Sequence, residues 1–392
     1  MVRPANPFSP SFGISPPVLA GRRTPLSDFE TIFGNVRSPS YATLLWGLRG
    51  TGKTVLLNAF EDRSAAHGWL SIAVAAATPM GLLNDIAIKA IRQLEAFEAE
   101  HGSPPARVVS GVSLGMIGIQ TESAVTPEPV PQGHHDLETV LSRLGDVLAE
   151  QGTGLLITID ELHVAEVDEI KQFGSIFQLV SRRAERPIAF AGAALPELER
   201  RLLSGPSGTF LQRCHRHEIG NLTMPETEVA LLDPIVSAGA RIDANSLRTV
   251  VDASNGQPYL VQLIGASLWD ESEDPVAGIR ADEAERAVAN ARSLYGQHVH
   301  APVWHRLSDL DKRFLIAMLE DRGSSTIADI GTRWQHDSRS LSRYRQRLLS
   351  AGLIRSVGHG RVAFVDDAAR AFVSLQALAE GWIEQVQSGA DR

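Results

Sequence analysis

The chain has 392 residues, 43% of them apolar and 21% charged, with a formal net charge of −9. This length predicts two or three domains with a real buried core, and the acidic balance excludes a protein that coats nucleic acid over its whole surface. One cysteine excludes an intrachain disulfide framework and fits a reducing cytoplasm; no apolar run approaches a membrane span, and the opening residues lack a signal peptide's apolar core.

Residues 1–22 begin Pro- and Ser-rich, which predicts an extended arm lying on the core, and end in Pro17-Val18-Leu19-Ala20-Gly21-Arg22. A strand over 41–46 then enters Gly47-Leu48-Arg49-Gly50-Thr51-Gly52-Lys53-Thr54, a complete G-x-x-x-x-G-K-[ST] loop, and a helix beginning at Val55 leaves it. Glycines let such a loop wrap its N–H groups around a polyphosphate, and the helix N-terminus adds its positive dipole end. Lys53 is placed for the β- and γ-phosphates and the Thr54 hydroxyl for Mg²⁺. ATP with Mg²⁺ is therefore the expected ligand.

A strand over 69–77 and a helix over 79–101 follow. Residues 107–120 read as a Gly-punctuated hairpin, inserted ahead of a polar, Pro-rich stretch over 121–133. Such an insertion serves either as a partner surface or as an addition to the sheet edge. Asp136 is positioned to cap a helix running to 150. The branched apolar run Leu155-Leu156-Ile157-Thr158-Ile159 then ends in Asp160-Glu161. A strand buried on both faces has this composition. Asp160 at its carboxyl end suits a metal and Glu161 suits the attacking water.

Further alternation (helix 170–183, strand 187–192, helix 195–203, strand 218–219) predicts an α/β fold, a parallel sheet covered by helices. Cys214, His215 and His217 match no usual zinc spacing and no second ligand pair follows them, which argues against a metal there. Helices at 226–238, 243–253, 258–270 and 281–294 form an all-helical region. Three more, at 307–322, 326–334 and 338–351, precede a β-hairpin over 352–365, the order of a winged helix-turn-helix. Its third helix carries Arg339, Arg343, Arg345 and Arg347, with Arg355 and Arg361 in the hairpin and Asp337 as the nearby acid. Cations for phosphates on a recognition helix and wing predict double-stranded DNA as a partner; packing or protein docking is the alternative.

These motifs together resemble the AAA+ and STAND ATPases, in particular their origin-recognition-like and archaeal-ATPase-like branches. Pro17 through Arg22 resembles the box that lines the adenine pocket, which assigns Leu19 and Arg22 to nucleotide. Ser254-Asn255-Gly256-Gln257-Pro258-Tyr259-Leu260 resembles the lid motif whose proline, here Pro258, lies near the adenine. The resemblance implies an arm (1–22), a P-loop core (23–222), a helical lid (223–300) and a winged-helix domain with a C-terminal helix (301–392). It also implies an arginine finger at Arg213 or Arg216, acting on a neighbouring subunit of a homo-oligomer.

Two departures stand out. The strand after the Asp160 strand ends Ala191-Gly192-Ala193-Ala194, without the family's polar sensor, and no second-sensor arginine falls near Pro258. The expected activity is Mg²⁺-dependent ATP binding with slow or regulated hydrolysis, coupled to DNA binding or assembly through the winged helix. The alternative is a nucleotide switch of the STAND type whose winged helix docks protein.

Overall fold

The computed structural model describes residues 4–11, 13–35, 38–101, 134–182, 186–196, 198, 209–335 and 338–383. Two compact units emerge, Arg22–Gly47 with Lys53–Ile219, and Met1–Gly21 with Leu48–Gly52 and Gly220–Arg392.

In the first unit, the apolar runs at 155–159 and 188–194 become central strands buried on both faces, whereas the edge strands are partly exposed. β1 (Ala42–Trp46), β2 (Leu70–Ala75), β3 (Leu155–Asp160), β4 (Ile188–Ala194) and β5 (His215–Glu218) are parallel and lie in the order β2-β3-β4-β1-β5. β3 is buried everywhere except Asp160, and β4 along its whole length. The helices are α1 (Arg23–Glu30), α2 (Lys53–Ala66), α3 (Leu82–His101), α4 (His134–Glu150), α5 (Val167–Ser181) and α6 (Thr209–Arg213). β4 separates the loop strand β1 from β3, and small residues there admit their neighbours. A Cβ on Gly192 would fall 2.3 Å from Leu162 Cδ1. β4 ends in buried Ala193 and Ala194.

The second unit is mostly helical: α7 (Met224–Ser237), α8 (Ala244–Ser254), α9 (Pro258–Glu271) and α10 (Ala281–Tyr295), then α11 (Ala301–Trp304) and α12 (Asp309–Met318). Side chains start these helices. Asp243 accepts the Asn245 and Ser246 N–H groups, and Ser308 and Asp311 form a reciprocal capping box. β6 (Ser324–Thr326), α13 (Ile327–Trp334), α14 (Ser338–Ser350), β7 (Ile354–Gly358), β8 (Arg361–Phe364) and α15 (Asp367–Ala379) complete it. β6, β8 and β7 form an antiparallel sheet beside α12, α13 and α14, giving the winged helix-turn-helix arrangement.

Three expectations need correction. The N-terminal arm seats on α9: Phe8 is buried against Gly265, Asn6 Nδ2 donates to the Ala266 carbonyl at 3.1 Å, and Trp269 Nε1 donates to the Pro4 carbonyl at 3.2 Å. A Cβ on Gly265 would stand 2.3 Å from the Phe8 ring, so only glycine leaves this seat open. α4 begins at His134, which puts Asp136 inside the first turn, where the helix dipole favours an acid as it does at the cap. The wing has a third strand, β6, too short and too polar to show periodicity. The expected hairpin at 107–120, the stretch 121–133 and most of the helix at 195–203 lie outside the described residues.

Candidate functional site

β1 delivers the chain into the loop. Gly50 and Gly52 take φ of +75° and +88°, left-handed angles that cost glycine nothing. Thr51 Oγ1 donates to the Leu48 carbonyl at 2.9 Å and Tyr259 N–H to the Gly50 carbonyl at 3.3 Å. A Cβ on Gly50 would fall 2.2 Å from Gln257 Nε2, a buried nitrogen with no hydrogen-bond partner among the described residues. Gln257 Oε1 meanwhile accepts the Leu260 N–H at 2.6 Å, capping α9 one residue ahead of Pro258. Gln257 thus packs on the loop although it belongs to no loop motif. Its signals in sequence are its place in the lid motif and the N-cap position before a helix-starting proline.

At the start of α2, Lys53 Nζ donates to the Gly47 carbonyl at 3.0 Å, and Thr54 Oγ1 donates to Asp160 Oδ2 at 2.6 Å. Asp160 Oδ1 accepts the Glu161 N–H at 2.7 Å. Both oxygens of one carboxylate are therefore engaged, one by each neighbour. Glu161 has φ +53° and an exposed side chain. Such a conformation is uncommon for glutamate and is held here by the Asp160 acceptor. A hydroxyl and a carboxylate in contact give an all-oxygen set that fits a hard divalent cation.

A third acid, Glu61, stands two turns along α2 from Thr54 and accepts the Thr158 hydroxyl at 2.5 Å. Burial raises its pKa above the ordinary carboxylate value; the Thr158 hydroxyl opposes this, and Asp62 and Asp160 add to it. Its only trace in sequence is the helical spacing from Thr54.

Among the remaining candidates, Val55 follows in α2, Leu19 is half-buried and Arg22 buried. Arg213 is exposed at the end of α6. Arg216 turns back on its own unit, donating to the Leu211 carbonyl from Nε (3.3 Å) and Nη2 (3.2 Å).

The arginines of α14 divide by what they touch. Arg343 is exposed, stacks 4.7 Å over the Tyr344 ring and donates to its hydroxyl at 2.6 Å. Arg347 makes a paired contact with Asp311 Oδ1 (3.0 and 2.8 Å), an acid only 4% exposed. Asp337 was the acid expected near this helix; it lies outside the described residues, and Asp311 engages Arg347 from α12. Arg339 belongs to α14, with its side chain outside the described residues. Arg361 is exposed and donates to Ser324 Oγ at 2.8 Å. Arg292, Arg322, Arg355, Arg361 and Arg370 line one cleft of about 600 Å³ together with Asp252, Asp366 and Asp367. Its cations outnumber its anions.

Residues 18–191 match the family model of the AAA ATPase domain, and residues 297–373 match a domain of unknown function, DUF8462. The chain matches no curated protein sequence. Among solved structures, a Walker-type ATPase of Pyrococcus abyssi aligns with a TM-score of 0.64 at 14% identity, covering 95% of this chain and 99% of that one. The ORC2 protein of Aeropyrum pernix, solved in ADPNP–ADP complexes, aligns with a TM-score of 0.57 at 13% identity over 94% of this chain and 98% of its own. Identities this low establish a shared fold. Among the described residues no helix is long and apolar enough to cross a membrane.

Proposed function

We propose that this AAA-type P-loop ATPase, whose fold is origin-recognition-like, couples Mg²⁺-dependent ATP hydrolysis to binding of double-stranded DNA through its C-terminal region. The observation that carries the nucleotide chemistry is the Thr54–Asp160 contact at 2.6 Å.

In this reading the amides of residues 47–55 wrap the triphosphate, and Lys53 exchanges the Gly47 carbonyl for phosphate oxygens. Thr54 and Asp160 hold Mg²⁺, which when bound neutralises charge on the β- and γ-phosphates. Glu161 orients the attacking water and accepts its proton. Asp160 fixes the Glu161 backbone, so one residue sets both the metal ligand and the base. Leu19, Arg22 and Pro258 are assigned to the adenine. Of the two finger candidates Arg213 is favoured, since Arg216 is spent on the Leu211 carbonyl. Functionally the chain divides into an arm (1–22), a catalytic core (23–222), a lid (223–300) and a winged helix (301–392).

Arg343 and Arg361, exposed on α14 and the wing, support phosphate contact, with Arg339 joining them by its place on α14. The arginine-lined cleft beside the wing supports the same reading. Arg347 is the weakest of the four, its charge being answered by Asp311.

A nucleotide switch of the STAND type, with a winged helix that docks protein, is the second reading. It is favoured by the buried alanines that end β4 and by the Arg347–Asp311 pair. Steady-state ATPase assays of wild type and Glu161→Gln, with and without duplex DNA, separate the two. DNA-stimulated turnover that Glu161→Gln removes supports the coupled ATPase. Tight ATP binding with slow turnover indifferent to DNA supports the switch.

A further inference from the structure

We propose a second metal site, independent of the nucleotide, in which Asp28, His215 and His217 bind Zn²⁺. His215 and His217 are alternate residues of β5 and so project from the same face; their ring centroids are 4.5 Å apart. Asp28 comes from α1. Its Oδ2 lies 4.0 Å from His215 Nε2 and 3.9 Å from His217 Nε2, one carboxylate oxygen facing two imidazole nitrogens. All three candidate ligand atoms fall within 4.8 Å of one another.

Two further observations point to a ligand. His217 Nε2 is buried without a hydrogen-bond partner among the described residues, on a side chain only 10% exposed. Leaving such a nitrogen unsatisfied is costly, and ligation removes that cost. His215 Nδ1 is engaged by the hydroxyl of buried Ser40 at 3.1 Å, which leaves Nε2 facing Asp28. Metal-bound histidines are oriented in this way through their other nitrogen.

Tetrahedral zinc with bonds near 2.0–2.1 Å sets its ligand atoms about 3.3 Å apart. Side-chain movements under about 1 Å reach that from the distances present. Two nitrogens and a carboxylate suit zinc and disfavour Mg²⁺ or Ca²⁺, which take oxygen sets. Asp28 and His215 are 38% and 35% exposed, so water has access to the fourth position. The spacing of Cys214, His215 and His217 gave no sign of this, because the third ligand is contributed by the first helix. Cys214 itself is buried and accounted for by the core and the Phe210 carbonyl. A bound ion ties α1 to β5, the four-residue edge strand that pairs only with β1 among the described residues. Through that tie, metal supply is linked to the stability of the ATPase core.

The test uses full-length, chelator-stripped, nucleotide-free protein titrated with Co²⁺ and then Zn²⁺. Expected are one Co²⁺ per chain with the visible absorption of a four-coordinate site, displacement by Zn²⁺, and a higher melting temperature with Zn²⁺ than with chelator. His217→Gln and Asp28→Asn each weaken binding by about tenfold or more, while Asp160→Asn leaves the Co²⁺ spectrum unchanged. Far-ultraviolet circular dichroism and a cooperative melting transition certify the fold of each variant, and the partly exposed Asp28 provides the milder of the two ligand changes. Absence of the band in wild type, its survival in folded Asp28→Asn, or its loss in Asp160→Asn overturns the proposal.

Discussion

Thr54 Oγ1 and Asp160 Oδ2 stand 2.6 Å apart although 106 residues separate them in the chain. The contact joins the helix that follows the loop to the carboxyl end of β3, with β4 intervening in the sheet. In the function proposed above these two oxygens are metal ligands, and the hydrogen bond between them is what a cation would replace. Thr54→Ala should weaken the Mg²⁺ dependence of ATP-analogue binding about tenfold or more, while Thr54→Ser retains it. Titrating Mg²⁺ against a fluorescent ATP analogue measures this; equal Mg²⁺ requirements in all three proteins would remove Thr54 from the metal site.

Glu161→Gln should lower turnover by roughly 10²–10⁴-fold with ATP affinity little changed, as expected on removing a general base. Its backbone is anchored through N–H to Asp160 Oδ1, a contact that the side-chain change leaves in place. Single-turnover hydrolysis together with equilibrium binding separates the two effects. A parallel loss of affinity would place Glu161 in binding instead.

Gly256 has φ +66°, and a Cβ there would lie 2.1 Å from the Leu222 carbonyl oxygen, whose own N–H donates to the Gly256 carbonyl at 2.7 Å. Backbone meets backbone, so no rotamer change relieves the clash. Gly256→Ala should cost about 2–4 kcal/mol, combining a left-handed penalty with displacement of a packed segment. Urea unfolding gives the number. Gly239, at φ +77° with nothing within 4 Å of its added Cβ, is the control that carries the conformational penalty alone.

Arg343 and Arg347 sit one turn apart on α14 yet should respond differently to charge reversal. Arg343→Glu is expected to weaken DNA retention and flatten its salt dependence by about one unit of log–log slope, with a smaller loss of stability, from its Tyr344 contacts, than Arg347→Glu. Arg347→Glu sets a like charge against Asp311, which is 4% exposed, and should destabilise the unit by about 1–3 kcal/mol. Melting curves beside filter binding at several salt concentrations distinguish these outcomes.

A pH effect follows from Asp321. Arg333 holds its carboxyl down to about 2, against an opposing desolvation, through contacts at 2.6 and 2.7 Å. Because the folded value lies below the unfolded 3.8, its stabilisation is complete above that value and disappears as pH falls towards 2. Melting temperature should decline across that window in wild type and less steeply in Asp321→Asn. Equal slopes would show the pair to be energetically silent.

How far the sequence reveals this molecule depends on how local each feature is. The loop from Gly47 to Thr54 and the run ending in Asp160-Glu161 are contiguous motifs with a physical purpose, and the structure brings Thr54 and Asp160 together. Helix starts at Asp243, Ser308 and Thr326 are equally local, since cap and first turn are neighbours. Gln257 against Gly50, Asp28 against two histidines and Asp311 against Arg347 are not local. Each pairs ordinary residues that only the folded chain brings together, and neither period nor composition marks them. β6 leaves no mark in the sequence because three polar residues display no alternation, and the seat of the arm leaves none because nothing in Phe8 names Gly265 as its partner.

That seat has a consequence for the order in which the protein is made. The Asn6 contact to Ala266 spans 260 residues, and at about 5–20 residues per second a ribosome needs on the order of ten to fifty seconds to cover such a distance. The segment around Phe8 therefore emerges early and is fixed late, after the strands of the sheet have all been synthesised. Until α9 exists, the Phe8 ring remains available to chaperones and proteases, and a nascent chain arrested before α9 has nowhere to put it.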